Sequence, residues 1–259
     1  ARWRQRPAGS VPELADVNQA EARRIIERFL TASPDGGWLP APSAMELLAA
    51  YRLPVAEWRW ASSEAEAVEA AVDLASPVAL KADVADVVHK TDVGAVSLAL
   101  STEDGMRRSY RAMVERFGDR LRGVIVQSMA APGVEVLAGV IQEPVFGPLV
   151  VFGLGGVATD VLADRAIRLA PLTDVDAAEL VRAPRAAALL QGYRGQPAVD
   201  MAGLEQALIR LAKLASDHPE ITEVDLNPVI ARPDGLVAVD ARVRLQHQPP
   251  SDPFLRRLR

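Results

Sequence analysis

The chain has 259 residues, of which 49% are hydrophobic, so it is long enough to bury a core in one large domain or two lobes. Its formal net charge of −5 at pH 7 argues against a broad basic surface for non-specific nucleic-acid binding. It contains no cysteine, which excludes disulfides and thiolate metal sites.

No apolar run reaches the roughly 18 residues that a membrane-spanning helix needs, so we expect no membrane partner. The first residues, "ARWRQRPAGSVPELADVNQ", are basic but lack the apolar region of a signal peptide, and we expect a cytoplasmic location. Because the sequence does not begin with Met, we interpret it as a piece of a longer protein or as a processed chain.

The first half of the chain alternates helical and strand patterns. Residues 1–40 form a lead-in whose segment "AEARRIIERFLTAS" has helical spacing and ends at the turn signal "PDGG". Helices are predicted at 43–51, 62–75 and 101–118, and apolar strands at 77–83 and 94–101.

The second half begins with three predicted strands, at 123–129, 133–143 and 147–156. Helices follow at about 174–190 and 200–216, and two closing strands at 221–231 and 236–245 are joined by "RPDG". This order predicts an α+β fold with two lobes. The glycines of "FGLGG" match neither a Walker sequence nor a full dinucleotide fingerprint, so they indicate either a tight turn or a bend beside a phosphate.

The closing hairpin places oxygen ligands on one face. If its turn centres on Pro233 and Asp234, Asn227 lies opposite Asp240, and the two-residue period of a strand puts Asp225 on the same face. Two carboxylates and an amide oxygen suit Mg²⁺, which usually binds through one or two carboxylates and substrate phosphates. The alternative is a solvated polar face.

Lys81 is one of three lysines among 29 basic residues, and it lies inside the apolar strand "PVALKAD". A lysine in such a strand must be paired or must reach a ligand. A compact ammonium suits a single phosphate oxygen, which favours a phosphate contact. The alternative is an ion pair with Asp83 or Asp86.

Two further segments contain candidate site residues. His89, in the polar loop between two predicted strands, could contact phosphate, act as a nucleophile, or simply lie on the surface. In "VIVQSMAAPGVEVLAG", Gln127 and Met129 lie at a bend and Glu135 on the returning strand. Such a bend could hold a base by backbone hydrogen bonds, with Glu135 on a ribose hydroxyl, although alone it indicates only a hairpin.

Four motifs in this order resemble one family: "VALKADVADVVHKTDVGAV", "GVEVLAGVIQEPVFGPLVVFGLGG", "IRLAPL" and "EVDLNPVI…DGLVAVDARV". Together they are similar to the ATP-grasp domain of the nucleoside-diphosphate-forming acyl-CoA synthetases. That family includes the ADP-forming acetyl-CoA synthetases and is related to the β subunit of succinyl-CoA synthetase. The resemblance implies a two-lobed ATP-grasp fold with the nucleotide between the lobes. We expect lobes at 41–122 and 123–246, a lead-in at 1–40 and a flexible tail at 247–259.

The resemblance also implies roles for the nucleotide-site residues. Lys81 resembles the lysine that contacts the ATP phosphates, and it is therefore also a catalytic candidate. The segment from Gln127 to Met129 resembles the hinge that meets adenine. Glu135 resembles the acidic residue near the ribose.

For the metal and the phosphoryl group, the resemblance implies a second set of residues. Asn227 and Asp240 match the Mg²⁺ ligand pair, with Asp225 beside them. His89 matches a histidine that some acetyl-CoA-forming members are thought to use to relay phosphate. The implied cofactors are therefore Mg²⁺ and ATP or ADP.

The implied reaction is acyl-CoA + ADP + phosphate ⇌ acid + CoA + ATP, through a phosphohistidine. The chain lacks the CoA-binding and ligase domains of such enzymes, so we expect it to bind nucleotide without completing turnover alone. Related actinobacterial proteins fuse such a module to a GNAT-type acetyltransferase, and we expect that domain as a further partner. The alternatives are a degenerate regulatory domain that senses nucleotide or acyl-CoA, and an inert scaffold.

Overall fold

The computed structural model describes residues 7–75, 77–84, 94–155, 164–195 and 197–247. The chain divides into two compact units. Unit 1 comprises Ala1–Leu39, Ser43–Val55 and Pro132–Arg259, and unit 2 comprises Pro40–Pro42 and Ala56–Ala131. In chain order the described elements are α1 (Gln19–Ala32), β1 (Gly37–Trp38), α2 (Ala41–Ala50), β2 (Trp58–Ala61), α3 (Glu64–Asp73), β3 (Val78–Val84), β4 (Val96–Leu100), α4 (Glu103–Phe117), β5 (Leu121–Ser128), β6 (Val134–Glu143), β7 (Gly147–Leu154), β8 (Arg165–Leu169), α5 (Asp174–Arg182), α6 (Met201–Asp217), β9 (Ile221–Arg232), β10 (Gly235–Ala238) and β11 (Ala241–Leu245).

Unit 2 is a four-stranded antiparallel sheet with α3 and α4 on one face. The strand order is β2-β5-β3-β4. Both helices begin at a hydroxyl cap, since Ser63 accepts from the backbone N–H of Glu66 and Thr102 from that of Gly105. The alternate strand residues Leu80, Ala82, Val124 and Val126 and the helix residues Ala67, Ala70, Met106, Tyr110 and Met113 share one core cluster.

Unit 1 is built on a larger sheet whose strand order is β1-β11-β9-β6-β7-β8, with β10 also paired to β9. One face of this sheet packs against α6. Leu204 and Leu208 of that helix line a shared apolar cavity with Val136 and Phe152 of the sheet. Period-2 alternation then places the polar residues of β9 and β11 on the opposite face.

The predicted register of the closing hairpin is confirmed. β10 pairs Gly235 with Arg232 across the turn, and the same register continues in β11, where Ala241 pairs with Leu226. The predicted single strand over 236–245 is instead two strands, interrupted at Val239 and Asp240. The hairpin therefore keeps its pairing partners but bends where the candidate metal ligands lie.

Two other expectations need correction in detail. The helix predicted at about 174–190 ends at Arg182, because Pro184 has no backbone N–H to continue the helical hydrogen bonds, and a 3₁₀ turn follows at Arg185–Leu189. The predicted division near residue 122 also differs from the observed units. β5 is the central partner of β2 and β3 and lies in unit 2, whereas Ser43–Val55 lies in unit 1.

A buried polar network ties α2 to the end of α6 within unit 1. The hydroxyl of Tyr51 donates to Oδ2 of Asp217 at 2.6 Å and lies 2.9 Å from Nε2 of His218. Lys213 forms an ion pair with the same carboxylate. Since the single hydroxyl proton goes to Asp217, Nε2 of His218 carries a proton and donates to Tyr51. Among the described residues, Nδ1 of His218 has no hydrogen-bond partner.

No helix among the residues described by the structure has the length and apolar character that a membrane crossing needs.

The burial of His218 generates a testable pH dependence. Burial, followed by the charge of Arg23, lowers the pKa of His218 below its ordinary value of 6.5. Well above pH 6.5 the His218 ring is neutral in both the folded and the unfolded chain. As the pH falls below 6.5, the unfolded chain binds a proton before the folded chain does, so the free energy of unfolding decreases. Urea unfolding between pH 5 and pH 7.5 should show this loss of stability.

The matched control is the exposed His247. A His218→Gln variant should flatten the pH dependence below 6.5, whereas His247→Gln should keep the wild-type slope. Equal slopes in wild type and His218→Gln would show that His218 does not couple folding to pH.

Candidate functional site

Lys81 lies on the face of the unit 2 sheet that is opposite α3 and α4. It sits in β3, between Ile125 of β5 and Val96 of β4, and it is only 8% exposed. Its sequence neighbours Leu80 and Ala82 belong to the helix-facing core, so alternation turns Lys81 to the other side. A charged side chain at this depth costs free energy unless partners or a ligand offset it.

Asp83 lies on the same face as Lys81, two residues further along β3, and it is also buried. Its carboxylate accepts a hydrogen bond from the guanidinium of Arg122 at 2.8 Å. The charge of Asp83 is therefore balanced by an arginine that the sequence patterns did not single out. The other suggested partner of Lys81, Asp86, lies outside the described residues.

Gln127 lies diagonally across from Lys81 on β5, on the same face of the sheet. It is 1% exposed, and within the described part of the chain its Nε2 has no hydrogen-bond partner. Leaving a buried amide donor without an acceptor costs about 1–3 kcal/mol. An acceptor supplied by a ligand would remove that cost, so this amide is a candidate binding group.

The backbone at the predicted hinge is already engaged. The N–H of Ser128 donates to the carbonyl of Glu57 at 2.9 Å, and the N–H of Met129 donates to that of Pro77 at 3.2 Å. The Met129 side chain is exposed. A base at this hinge would therefore meet the side chains of Gln127 and Met129 rather than these two backbone donors.

Glu135 lies on β6 in unit 1, where it pairs with Ile230 of β9 and has an exposed side chain. Its carbonyl accepts from the N–H of Gly155 at 2.9 Å. A Cβ at position 155 would come within 2.9 Å of the Val136 backbone, so only glycine permits this approach. The carboxylate of Glu135 is thus exposed on the polar face of the sheet, while its backbone is fixed.

The predicted metal ligands of the closing hairpin are brought together in unit 1. The N–H of Asn227 donates to the carbonyl of Asp240 at 3.3 Å, so the two residues are cross-strand neighbours. Both residues are half-buried, and alternation along β9 places Asn227 on the face opposite α6. A carboxylate and an amide oxygen on adjoining strands are hard donors that fit Mg²⁺, whose remaining positions water and phosphate oxygens can fill.

Asp225 lies on the same face but has a basic neighbour. Its Oδ2 accepts from Nη2 of Arg242 at 3.2 Å, and that guanidinium lies 5.8 Å from the centre of the Trp38 ring. The sequence analysis missed Arg242, although its position two residues after Asp240 places it on the same face. Asp225 is therefore an ion-paired carboxylate beside the Asn227 and Asp240 pair.

In the described ranges, no group of three or more His, Cys, Asp or Glu side chains could hold a metal ion. The set predicted at the closing hairpin is of a different kind, with two carboxylates and one amide, and its binding of Mg²⁺ stays a prediction.

His89 lies outside the described residues, as do the other polar residues of its loop and Gly156 and Asp160 of the glycine-rich segment.

Comparison with known proteins identifies the family. The sequence profile of the family described as "ATP-grasp domain" matches residues 30–245. The β subunit of acetate–CoA ligase (ADP-forming) I from Pyrococcus furiosus is 37% identical over 231 residues, which cover 87% of this chain and 98% of the relative.

Solved structures agree with this likeness. The dinucleotide-forming acetyl-coenzyme A synthetase 1 of Ca. Korarchaeum cryptofilum, in complex with coenzyme A, Ca-AMPCP and HgCl⁺, has 39% identity and a TM-score of 0.81 over 85% of this chain and 99% of that chain. In a complex with coenzyme A and Mg-AMPPCP, whose phosphohistidine segment points towards the nucleotide binding site, the same protein has 37% identity and a TM-score of 0.77 over 87% of this chain and 100% of that chain. The chain therefore belongs to the ATP-grasp family, and within it to the β-type ATP-grasp domains of the ADP-forming acetyl-CoA synthetases.

Proposed function

We propose that this chain is the nucleotide-binding and phosphoryl-transfer module of an ADP-forming acyl-CoA synthetase. The observation that carries the proposal is its likeness to the acetate–CoA ligase β subunit across 98% of that subunit's length. The whole reaction would be acyl-CoA + ADP + phosphate ⇌ acid + CoA + ATP. This chain would bind the nucleotide and pass the phosphoryl group to or from it.

In unit 2, Lys81 would contact a phosphate oxygen of the nucleotide. Its burial supports this role, because a bound phosphate would offset the cost of holding an ammonium group inside a strand. Gln127 and Met129 would meet the base. The buried Nε2 of Gln127 supports an acceptor atom from the ligand at that position.

In unit 1, Glu135 would bind a ribose hydroxyl through its exposed carboxylate. Asn227 and Asp240 would hold Mg²⁺, with Asp225 beside them, and the fit rests on the cross-strand contact of the first two. Magnesium would neutralise charge on the phosphates when bound. The residues of the chain would fix where that charge is neutralised.

His89 would accept the phosphoryl group. In that step a ring nitrogen of His89 bonds to the terminal phosphorus of ATP, the bond from that phosphorus to the bridging oxygen breaks, and ADP leaves with the electron pair. The CoA-binding and ligase domains would be partners, in keeping with the "subunit beta" in the relative's name. We further propose a cytoplasmic location, and a GNAT acetyltransferase as a second partner.

A regulatory domain that only senses nucleotide or acyl-CoA is the second candidate. Such a sensor needs the same binding residues, so those residues do not separate the two functions. The named relatives favour the enzyme, since they are ligases and synthetases. The ATP-grasp family profile matches residues 30–245, which include the segments that carry the proposed site.

Turnover tests the proposal directly. The full-length protein, or this chain with its CoA-binding domains, should convert ATP, CoA and acetate to ADP, phosphate and acetyl-CoA in the presence of Mg²⁺. Product formation measured by chromatography, and its loss in Lys81→Met, would support the synthetase. Nucleotide-dependent acetyltransferase activity without any of these products would instead support the sensor.

Nucleotide binding should depend on Lys81. We expect Lys81→Met to weaken Mg·ADP binding by roughly 10- to 100-fold, because a charge-assisted hydrogen bond contributes about 1.5–3 kcal/mol. Titration calorimetry measures this change. Lys213→Met is the matched control, since Lys213 pairs with Asp217 on α6 and should leave affinity unchanged. Equal affinity in Lys81→Met and wild type would remove Lys81 from the site.

Phosphoryl transfer should depend on His89. ATP labelled in its terminal phosphate should give an acid-labile label on the chain, with one ADP released for each phosphoryl group bound. His89→Asn should abolish the label while keeping nucleotide affinity, and His247→Asn should keep both. A label that persists in His89→Asn would place the acceptor elsewhere.

A further inference from the structure

The Arg242 side chain is held from two sides on the polar face of the unit 1 sheet. Its guanidinium donates to Asp225 at 3.2 Å and lies over the ring of Trp38 at 5.8 Å. The side chains of Arg242 and Asp225 are only 24% and 32% exposed. The carboxylate and the indole together restrict the conformations of the planar guanidinium. This ion pair is therefore more strongly fixed than an exposed one.

The strand register places this ion pair next to the proposed metal ligands. Arg242 pairs with Asp225, and Asp240 is joined to Asn227. Asp225 is two residues from Asn227, and Arg242 is two residues from Asp240. Each member of the ion pair therefore lies about 7 Å along the chain from a proposed metal ligand. The other cross-strand neighbour of Asp225 is Gly139, which has no side chain. Of the two residues paired with Asp225, only Arg242 can therefore meet its carboxylate.

This arrangement makes the two carboxylates unequal as cation ligands. Arg242 bonds Oδ2 of Asp225, so a metal ion bound by the same carboxylate would lie close to the guanidinium, and the two positive charges would repel each other. Asp240 is tied to Asn227 only through its backbone carbonyl in that contact, so the contact does not engage its carboxylate. The two acids therefore differ, since Asp225 is ion-paired to Arg242, whereas the contact of Asp240 with Asn227 does not use its carboxylate.

We propose that Arg242 is a positioning residue that holds Asp225 out of the metal's ligand set, so that Asn227 and Asp240 supply the protein ligands. The proposal rests on the proposed function. Its consequence is a site with one carboxylate ligand rather than two. Such a site binds Mg²⁺ mainly together with nucleotide phosphates, and it lets the metal leave with the product.

The test measures how much Mg²⁺ is needed for ADP binding, by calorimetry over a range of Mg²⁺ concentrations. Asp240→Asn should raise the Mg²⁺ concentration at half-saturation by at least about 10-fold, whereas Asp225→Asn should change it by less than about 3-fold. Arg242→Met should lower it several-fold, since the released Asp225 adds a second carboxylate. Adding Asp225→Asn to Arg242→Met should cancel that gain.

Two control variants separate positioning from folding. Arg244 lies over the same Trp38 ring at 5.9 Å, but it is two residues further along β11 from Asp240 than Arg242 is. Arg244→Met should therefore leave the Mg²⁺ requirement unchanged. Arg242→Lys keeps the positive charge but loses the planar fork that bonds Asp225 and lies over Trp38, so its Mg²⁺ requirement should fall between those of wild type and Arg242→Met. If Arg242→Met does not fold, the comparison of Asp225→Asn with Asp240→Asn decides the question in the presence of Arg242.

An equal loss in Asp225→Asn and Asp240→Asn would overturn the inference, because Asp225 would then be a ligand. Weaker Mg²⁺ binding in Arg242→Met would also overturn it. If the wild-type chain bound no ADP at any Mg²⁺ concentration, the proposed function itself would fail, and the inference with it.

Discussion

The antiparallel pairing of β9 is the constraint on which unit 1 depends. β9 is bonded to β6 along one edge and to β10 and β11 along the other. Val224 and Leu226 enter the core beside α6, and so Asp225 faces the other way. A slip of one residue would bury Asp225 and expose Leu226, so the same free energy that builds the core also holds the polar face in register.

Strand alternation also decides the two faces of β3 in unit 2, but there it buries a charged residue, Lys81. β3 is buried along its whole length, and alternation sends Leu80 and Ala82 to the helices and Lys81 to the opposite face. An apolar residue at position 81 would satisfy the strand at lower cost. The neighbouring Asp83 is balanced by Arg122, and the amide of Gln127 is buried nearby. A face with this much buried polarity is easier to explain by ligand binding than by stability.

Period-2 and helical patterns predicted the helices, most of the longer strands and the hairpin register, but not the short strands β1, β2 and β8. These features depend on local alternation and on turn residues such as Pro233 and Asp234. The break after Arg182 was readable in principle, because Pro184 carries the signal. The contact of Tyr51 with Asp217 and His218 could not be predicted from the sequence. It joins positions 166 and 167 residues apart, and no local pattern encodes a contact at that separation. The ion pair of Asp225 could have been predicted, because the register that sets Asn227 opposite Asp240 also sets Asp225 opposite Arg242.

The use of lysine and arginine in this chain now has a physical basis. Of 29 basic residues only three are lysines, so each lysine is an exception to the general use of arginine in this chain. At position 242 the planar fork is needed, because it must bond a carboxylate and lie over an indole at once. At position 81, which pairs with Ile125 and Val96 and is 8% exposed, a compact ammonium would suit contact with a single oxygen. The two cations therefore differ in their expected roles, since Arg242 bonds Asp225 of the protein itself, whereas Lys81 is proposed to contact a phosphate of the ligand.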